Sequence, residues 1–286
     1  MIKFPVKYIN GNYLVTIDND GTKTRETIDN EFIPTRPETI DLNISNFCKN
    51  ACPWCYMDAS PQGRHGDVIA IKNMKIPPYT EVALNYALHP NLVTIFHMLR
   101  EKRAITNMTI HQNDLLKYHK LIKGFQLQHY IYGIGISVTD VNDRLIKIIN
   151  RFDNVVIHVI AGITPIKTLE KMKDLGYKVL ILGYKTKGRG LNVKPNLIEY
   201  KYNFDNIQDW FKIVSYDNLA LEQLNIKDYI TKEIWDTHYM GEEGQFSFFI
   251  DAVEKKYYKS STESKGFDIN NLTIKEMFEN VKKNKM

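Results

Sequence analysis

The chain has 286 residues, and its 38 basic and 33 acidic side chains leave a formal net charge of +5, too mild by itself to argue for nucleic acid. Hydrophobic residues at 43% and charged ones at 25% are ordinary for a globular protein, and the length permits one large domain or two small ones. No apolar run is long enough to span a bilayer, and Met1-Ile2-Lys3-Phe4-Pro5 is no secretory signal, so a cytoplasmic protein is expected.

Residues 1–37 read as a small β-meander. Lys3–Ile9, Tyr13–Asp18 and Thr22–Ile28 are strand-like, separated by Asn10-Gly11 and Asp20-Gly21, dipeptides that favour the positive φ of tight hairpins. Pro34 and Pro37 then punctuate the chain, and the meander is expected to cover one end of the main domain. Thr39–Ser45 is a period-two strand. Beyond it, strands at Thr80–Leu84, Ile105–His111, Tyr130–Val138, Val155–Ile160, Lys178–Gly183 and Phe211–Tyr216 alternate with helices at Pro90–Arg103, Leu115–Phe125, Asp143–Phe152, Thr168–Leu175 and Ile207–Trp210. Repeated strand–helix units imply a parallel sheet with helices outside it. An α/β fold is therefore expected, as a partial barrel of six or so (β/α) units over residues 38–220, with a C-terminal extension at 221–286. In that extension Gln245–Asp251 and Val253–Ser260 read as a hairpin, and Ile274, Met277, Phe278 and Val281 have helical spacing.

All three cysteines of the chain fall in Cys48-Lys49-Asn50-Ala51-Cys52-Pro53-Trp54-Cys55-Tyr56, directly after the strand Thr39–Ser45. Thiolates this close can converge on one metal centre if the chain between them loops. Four would close an ordinary iron–sulfur cluster; three leave one iron open, as a catalytic centre requires. A zinc site made by the cysteines with His65 also fits the ligand types. A disulfide would leave an odd thiol and need an oxidising compartment.

The three-and-two spacing, the aromatic Trp54 before the last cysteine and the preceding strand together resemble the signature of the radical S-adenosylmethionine (SAM) enzymes. The layout is also similar to that of uncharacterised bacterial and phage members. The resemblance implies a partial (β/α)6 TIM-like barrel. It further implies a [4Fe–4S] cluster on Cys48, Cys52 and Cys55, with SAM on the open iron. An electron donor such as flavodoxin or ferredoxin would supply the reducing equivalent, and the 5′-deoxyadenosyl radical would act on a peptide or small molecule. Trp54 and Tyr56 are expected beside the cofactor. The second strand of the family usually ends in Gly-Gly-Glu, which holds the SAM ammonium; here Asn85-Tyr86-Ala87 stands before His89-Pro90, and Asn85 is expected to offer its side-chain oxygen instead. Asn113 resembles the polar group bordering the ribose, although a helix N-cap at Asn113 or Asp114 explains it equally well. Ser137 resembles a contact to the SAM carboxylate, and Gly183 and Tyr184 a backbone contact to adenine. Lys185 and Arg189 are basic groups at the mouth, suited to the carboxylate of SAM or to an anionic substrate, while Lys187 and Arg189 also suit a solvated loop.

Two further positions follow from the residues themselves. Asp217, directly after the strand Phe211–Tyr216, would point into the mouth as a substrate-binding or proton-handling carboxylate, or would cap the next helix. His158 is expected to be a core histidine bonded to backbone. In peptide-modifying members of the family a cysteine stands where Ser260 stands here, so no auxiliary cluster is expected. Two other classes remain open at this point: a binding protein that keeps the cluster but has a degenerate SAM site, and a zinc-stabilised interaction module.

Overall fold

A computed structural model describes residues 2–29, 31–85 and 88–283. The N-terminal meander is a three-stranded antiparallel sheet of β1 (Val6–Asn10), β2 (Tyr13–Ile17) and β3 (Lys23–Glu26). Val6, Tyr13, Val15 and Ile17 form its buried side, which packs with Ile105 and Phe246 of the rest of the chain. Glu38, fully buried, locks this sheet to the next strand. It accepts from Arg25 Nε at 2.8 Å, Arg25 NH2 at 3.1 Å and the Tyr13 hydroxyl at 2.7 Å, and Lys23 stands 3.4 Å away.

From residue 39 the strand–helix alternation holds. In order come β4 (Thr39–Asn43), α1 (Val68–Asn73), β5 (Glu81–Asn85), α2 (Leu92–Glu101), β6 (Ile105–His111), α3 (Gln112–Leu127), β7 (Gly133–Ser137), α4 (Asp143–Ile149), β8 (Val155–Ile160), α5 (Ile166–Glu170) and β9 (Lys178–Leu182). There follow α6 (Leu197–Tyr202), α7 (Phe204–Trp210), β10 (Ile213–Tyr216), α8 (Asn218–Leu224), α9 (Lys232–His238), β11 (Ser247–Asp251), β12 (Lys256–Tyr258), β13 (Phe267–Asp268) and α10 (Ile274–Lys283). The large sheet has the order β10-β9-β8-β7-β6-β5-β4-β11-β12-β13, parallel from β10 through β11 and antiparallel at β12 and β13. The fold is thus mixed α/β around a large, mostly parallel sheet.

The tail behaves in a way that local pattern does not reveal. Phe248 and Ile250 do alternate as a hairpin strand, but β11 runs parallel to β4, with Phe249 opposite Asp41 and Asp251 opposite Asn43. The expected hairpin with β12 forms at the outer side of that strand. Helices α1, α6 and α9 were not legible as helices in the sequence; each is only 6 or 7 residues long. The α1 helix depends on a cap, the Asp67 carboxylate accepting from Ile69 N–H at 2.8 Å.

Strand register sorts the side chains of the sheet into two faces. Ile40, Leu42, Val82, Leu84, Met108, Ile110, Ile134, Ile136, Ile157, Val159, Val179 and Ile181 are buried on one face and belong to the main core beneath the helices. The opposite face carries Asp41, Ala83, Asn107, Gly135, His158 and Leu180, and is polar and only partly covered. Period two in every strand requires such a split. His158, expected in the core, therefore lies on the open face. Neither ring nitrogen has a hydrogen-bond partner among the described residues, and the ring lies across Gly135, where an added Cβ would come within 2.3 Å of Cε1.

Candidate active site

The cysteine loop leaves the C-terminal end of β4, the end of a parallel strand at which α/β proteins place their sites. Backbone bonds fold it back on itself. Cys48 N–H donates to Ser60 C=O at 2.9 Å, Ser60 N–H to Asn46 C=O at 3.0 Å, and Cys55 N–H to Cys52 C=O at 3.1 Å. Short bridges pair Phe47 with Ser60 and Ser45 with His65. All three thiols are free and half-buried. Burial, and then the neighbouring sulfurs of Cys48 and Cys55, push the Cys52 thiol up to about 11, while Arg189 opposes them. A positively charged centre would favour the thiolate form that binds metal.

The donor set, three thiols with no fourth cysteine in the chain, has the ligand chemistry of a cluster with one open corner. Among the described residues no three His, Cys, Asp or Glu side chains gather closely enough to hold one metal ion. His65, the fourth ligand of the zinc alternative, has its Nδ1 engaged with Ser45 Oγ at 2.9 Å.

A second loop, after β9, clasps the first. Arg189 donates from Nε to Cys52 C=O at 3.0 Å and from NH2 to Ala59 C=O at 2.8 Å. Its backbone N–H reaches Cys55 C=O at 3.2 Å and Asp58 Oδ1 at 2.8 Å. Gly190 permits the approach: a Cβ there would lie 2.4 Å from Lys185 C=O and 3.5 Å from Trp54 C=O. The Tyr184 hydroxyl donates to the Gly190 carbonyl and fixes the turn. Arg189, read from sequence as a mouth cation or a solvated side chain, is neither; it braces the cysteine loop.

The other residues singled out in the sequence lie mainly at strand C-termini. Asn85, ending β5, accepts from Ile44 N–H at 3.0 Å and donates to Asn43 Oδ1 at 2.8 Å and Ser45 C=O at 2.9 Å, so its amide braces the start of the cysteine loop. Both amide protons are thereby engaged, and one lone pair of Oδ1 is left. Tyr86 and Ala87 lie outside the described residues. Asn113 sits in the first turn of α3, but the cap is His111, whose Nδ1 accepts from Asn113 N–H. The Asn113 side chain turns instead to Asn50 Oδ1 at 3.4 Å, and Asn50 in turn donates to Asp114 at 2.6 Å and approaches Cys48 Sγ at 3.8 Å. Ser137 ends β7 in register with His111 and His158.

Gly183 N–H donates to Asp217 Oδ1 at 2.8 Å, and the same oxygen caps α8 through Ala220 N–H at 2.8 Å. The capping role foreseen for Asp217 is the one its carboxylate fills. Tyr184 has both backbone groups paired with the Gln223 amide, at 2.8 Å each. Lys185 lies with its ammonium 4.2 Å from the centre of the Tyr56 ring and donates to Ser261 Oγ at 2.6 Å. Burial alone would lower its pKa, but Tyr56, Asp217, Asp41 and Glu243 outweigh that and hold it above the usual lysine value. Ser260 is buried, and its hydroxyl pairs with Thr262 Oγ1 at 2.6 Å.

The fold has counterparts among solved structures. The fold is similar to that of SuiB of Streptococcus suis in three crystal structures. Bound to S-adenosylmethionine, SuiB matches with a TM-score of 0.57 at 11% identity over 83% of this chain. Bound to the precursor peptide SuiA it gives 0.60 at 11% identity over 86%, and a further SuiB structure gives 0.60 at 10% identity over 94%. The chain spans less than two thirds of the two bound SuiB chains, 64% and 65%, and 86% of the third. At such identities the likeness concerns the fold alone. No protein-family model matches the sequence, and no curated protein matches it. No helix among the described residues is long and apolar enough to cross a membrane.

Two site residues escaped the sequence reading. Asp41 stands on the open face in the middle of β4, deep in the molecule yet reached by solvent. Burial raises its pKa, Glu243 and Asp217 add to the rise, and Lys185 opposes it. Gln223 ties α8 to the end of β9. The alternation Ile40-Asp41-Leu42 was a usable signal for the first; nothing local marks the second.

Proposed function

We propose that the chain is a single-cluster radical SAM enzyme acting on a peptide. The observation that carries this reading is the placement of the only three cysteines on a braced loop at the C-terminal end of β4, beside the polar open face of the parallel sheet. Cys48, Cys52 and Cys55 would hold a [4Fe–4S] cluster whose fourth iron takes SAM. When bound, cluster and SAM would supply reductive cleavage to a 5′-deoxyadenosyl radical, with the electron drawn from a donor such as flavodoxin or ferredoxin. The fold likeness to a protein that binds S-adenosylmethionine and a precursor peptide supports SAM as cofactor and favours peptide over small molecule.

The chain's own residues divide the remaining work. Arg189 and Asn85 hold the two flanks of the cysteine loop. Asn113 would border the ribose, Ser137 and Lys185 the carboxylate of SAM, and Trp54, Tyr56 and Gly183 the adenosyl group; Asn85 would turn its remaining lone pair to the ammonium. Tyr184 would shape the adenine pocket through its ring and its bond to Gly190, since its backbone groups are engaged. Asp217 would act by holding Gly183 in place while its second oxygen stays available to substrate. The parallel sheet from residue 38 to about 220 would form the partial (β/α)6 barrel, with residues 1–37 packed on it and 221–286 completing it, and the protein would work in the cytoplasm. Anaerobic reconstitution with iron and sulfide, followed by assay of 5′-deoxyadenosine release, tests the reading. The expected result is a brown protein with about four irons per chain that cleaves SAM and loses the chromophore when any one cysteine becomes alanine. A colourless protein carrying one zinc would refute it.

A further inference from the structure

At the opposite end of the sheet from the cysteine loop lies a pocket of about 370 Å³, between the N-terminal segment and the leading ends of β5, β6 and β7. Lys3, Lys7, Arg100, Arg103 and His129 line it, and no aspartate or glutamate does. Among the described residues none of the five has a carboxylate partner, although ion pairs are plentiful elsewhere in the chain. The two lysines and two arginines around one concavity repel one another and create a positive potential that a bound anion relieves.

Two of these cations are held in place. The Arg100 guanidinium lies 4.8 Å from the centre of the Tyr130 ring and bonds His97 Nδ1 at 3.1 Å; His97 Nε2 is in turn 2.9 Å from the Tyr130 hydroxyl. The Arg103 guanidinium lies 5.9 Å from the Tyr79 ring centre. A guanidinium stacked on a ring keeps its in-plane N–H groups directed outward, the geometry that grips phosphate oxygens in pairs. The ring faces, by contrast, are largely taken: Tyr79 also stacks on Tyr8, and Tyr130 on Phe96. Little aromatic surface is left for a nucleobase.

We infer that this pocket binds a phosphate-bearing small molecule, recognised through the phosphate and not through any attached base. The site is separate from the cysteine loop and independent of the function proposed for it. Titration calorimetry on the full chain in a phosphate-free buffer tests the inference, with inorganic phosphate, pyrophosphate, AMP, ATP and adenosine as probes. Phosphate or pyrophosphate binding at about 1 mM or tighter, weakening as salt is raised, is expected, with adenosine inert. If AMP or ATP binds and the inorganic ions do not, recognition depends on the nucleoside and the inference is overturned. Replacing Arg100 and Arg103 together by glutamine should weaken binding by about tenfold or more. The pair Lys3→Gln with Lys7→Gln alters only exposed side chains, and should weaken binding without changing the melting temperature. Absence of binding by every phosphate compound, adenosine binding as well as AMP, or affinity unchanged in both double variants would each overturn the inference.

Discussion

Arg189→Ala offers a direct test of how the cysteine loop is held. The side chain makes two charge-assisted bonds, to the carbonyls of Cys52 and Ala59, and is 30% exposed. A buried hydrogen bond to a charged group contributes about 1.5–3 kcal/mol, and partial exposure argues for the lower end. Two such bonds, less what water restores to the freed carbonyls, give about 2–3 kcal/mol for loop closure, a shift of about 30- to 150-fold in the closed population. The main hydrophobic core does not include Arg189, so global unfolding should change little. Hydrogen exchange on the metal-free protein should show residues 48–60 losing protection by that factor while β6 to β9 keep theirs. Iron retained after gel filtration should fall in parallel. Arg189→Lys should recover only part of the effect, because an ammonium is a single point and cannot span two carbonyls as a fork does. Unchanged exchange in the loop would refute the clasp; loss of protection throughout the sheet would show that Arg189 acts on the fold as a whole.

Three other outcomes are expected. Glu38→Ala should lower stability by about 3–5 kcal/mol in denaturant titration, because it strands the Arg25 guanidinium in a buried site, while Lys23 keeps Glu81 as a partner; a loss below about 1 kcal/mol would contradict the geometry. Burial tends to raise the Glu38 pKa, but Lys23 and Arg25 more than compensate and hold it below its usual value of 4.5, so its stabilisation is present above that pH and disappears as acid carries the carboxylate through its lowered folded value. Burial lowers the His158 pKa from 6.5 to about 4, so the folded form resists a proton that the unfolded chain accepts; stability should fall by about 2–3 kcal/mol as pH drops from 6.5 to 4. His158→Gln should flatten that slope, and an imidazole titrating near 6.5 by NMR would show the ring is not where it is described. Asn85→Ala should weaken SAM binding to the reconstituted protein by about 1–3 kcal/mol in calorimetry, and an unchanged affinity would remove Asn85 from the site.

The sequence alone determined a good deal, because the relevant forces are local. Period-two and period-3.6 patterns located β6 and β8 to the residue and the main helices to within a turn or so, since burial of alternate side chains is written into each short segment. Asp20-Gly21 lies within the second hairpin turn of the meander, and Asn10-Gly11 marked the first to within one residue, its loop being Gly11-Asn12. The cysteine spacing was likewise complete within eight residues.

Only the tertiary structure decided matters that depend on segments far apart in the chain. It placed β11 alongside β4 although some two hundred residues separate them. Pairing of that kind rests on a strand edge left open by everything folded between, and no window of sequence contains that information. The same holds for Arg189, whose partners lie 130 and 137 positions away, and for Asn85, whose amide is engaged with β4. His158 shows the limit from the other side: its apolar neighbours suggested a core position, but alternation within β8 turned Ile157 and Val159 to the helices and the imidazole to the open face. A histidine one residue from the core is told from one in the core only by which face of the sheet the helices cover.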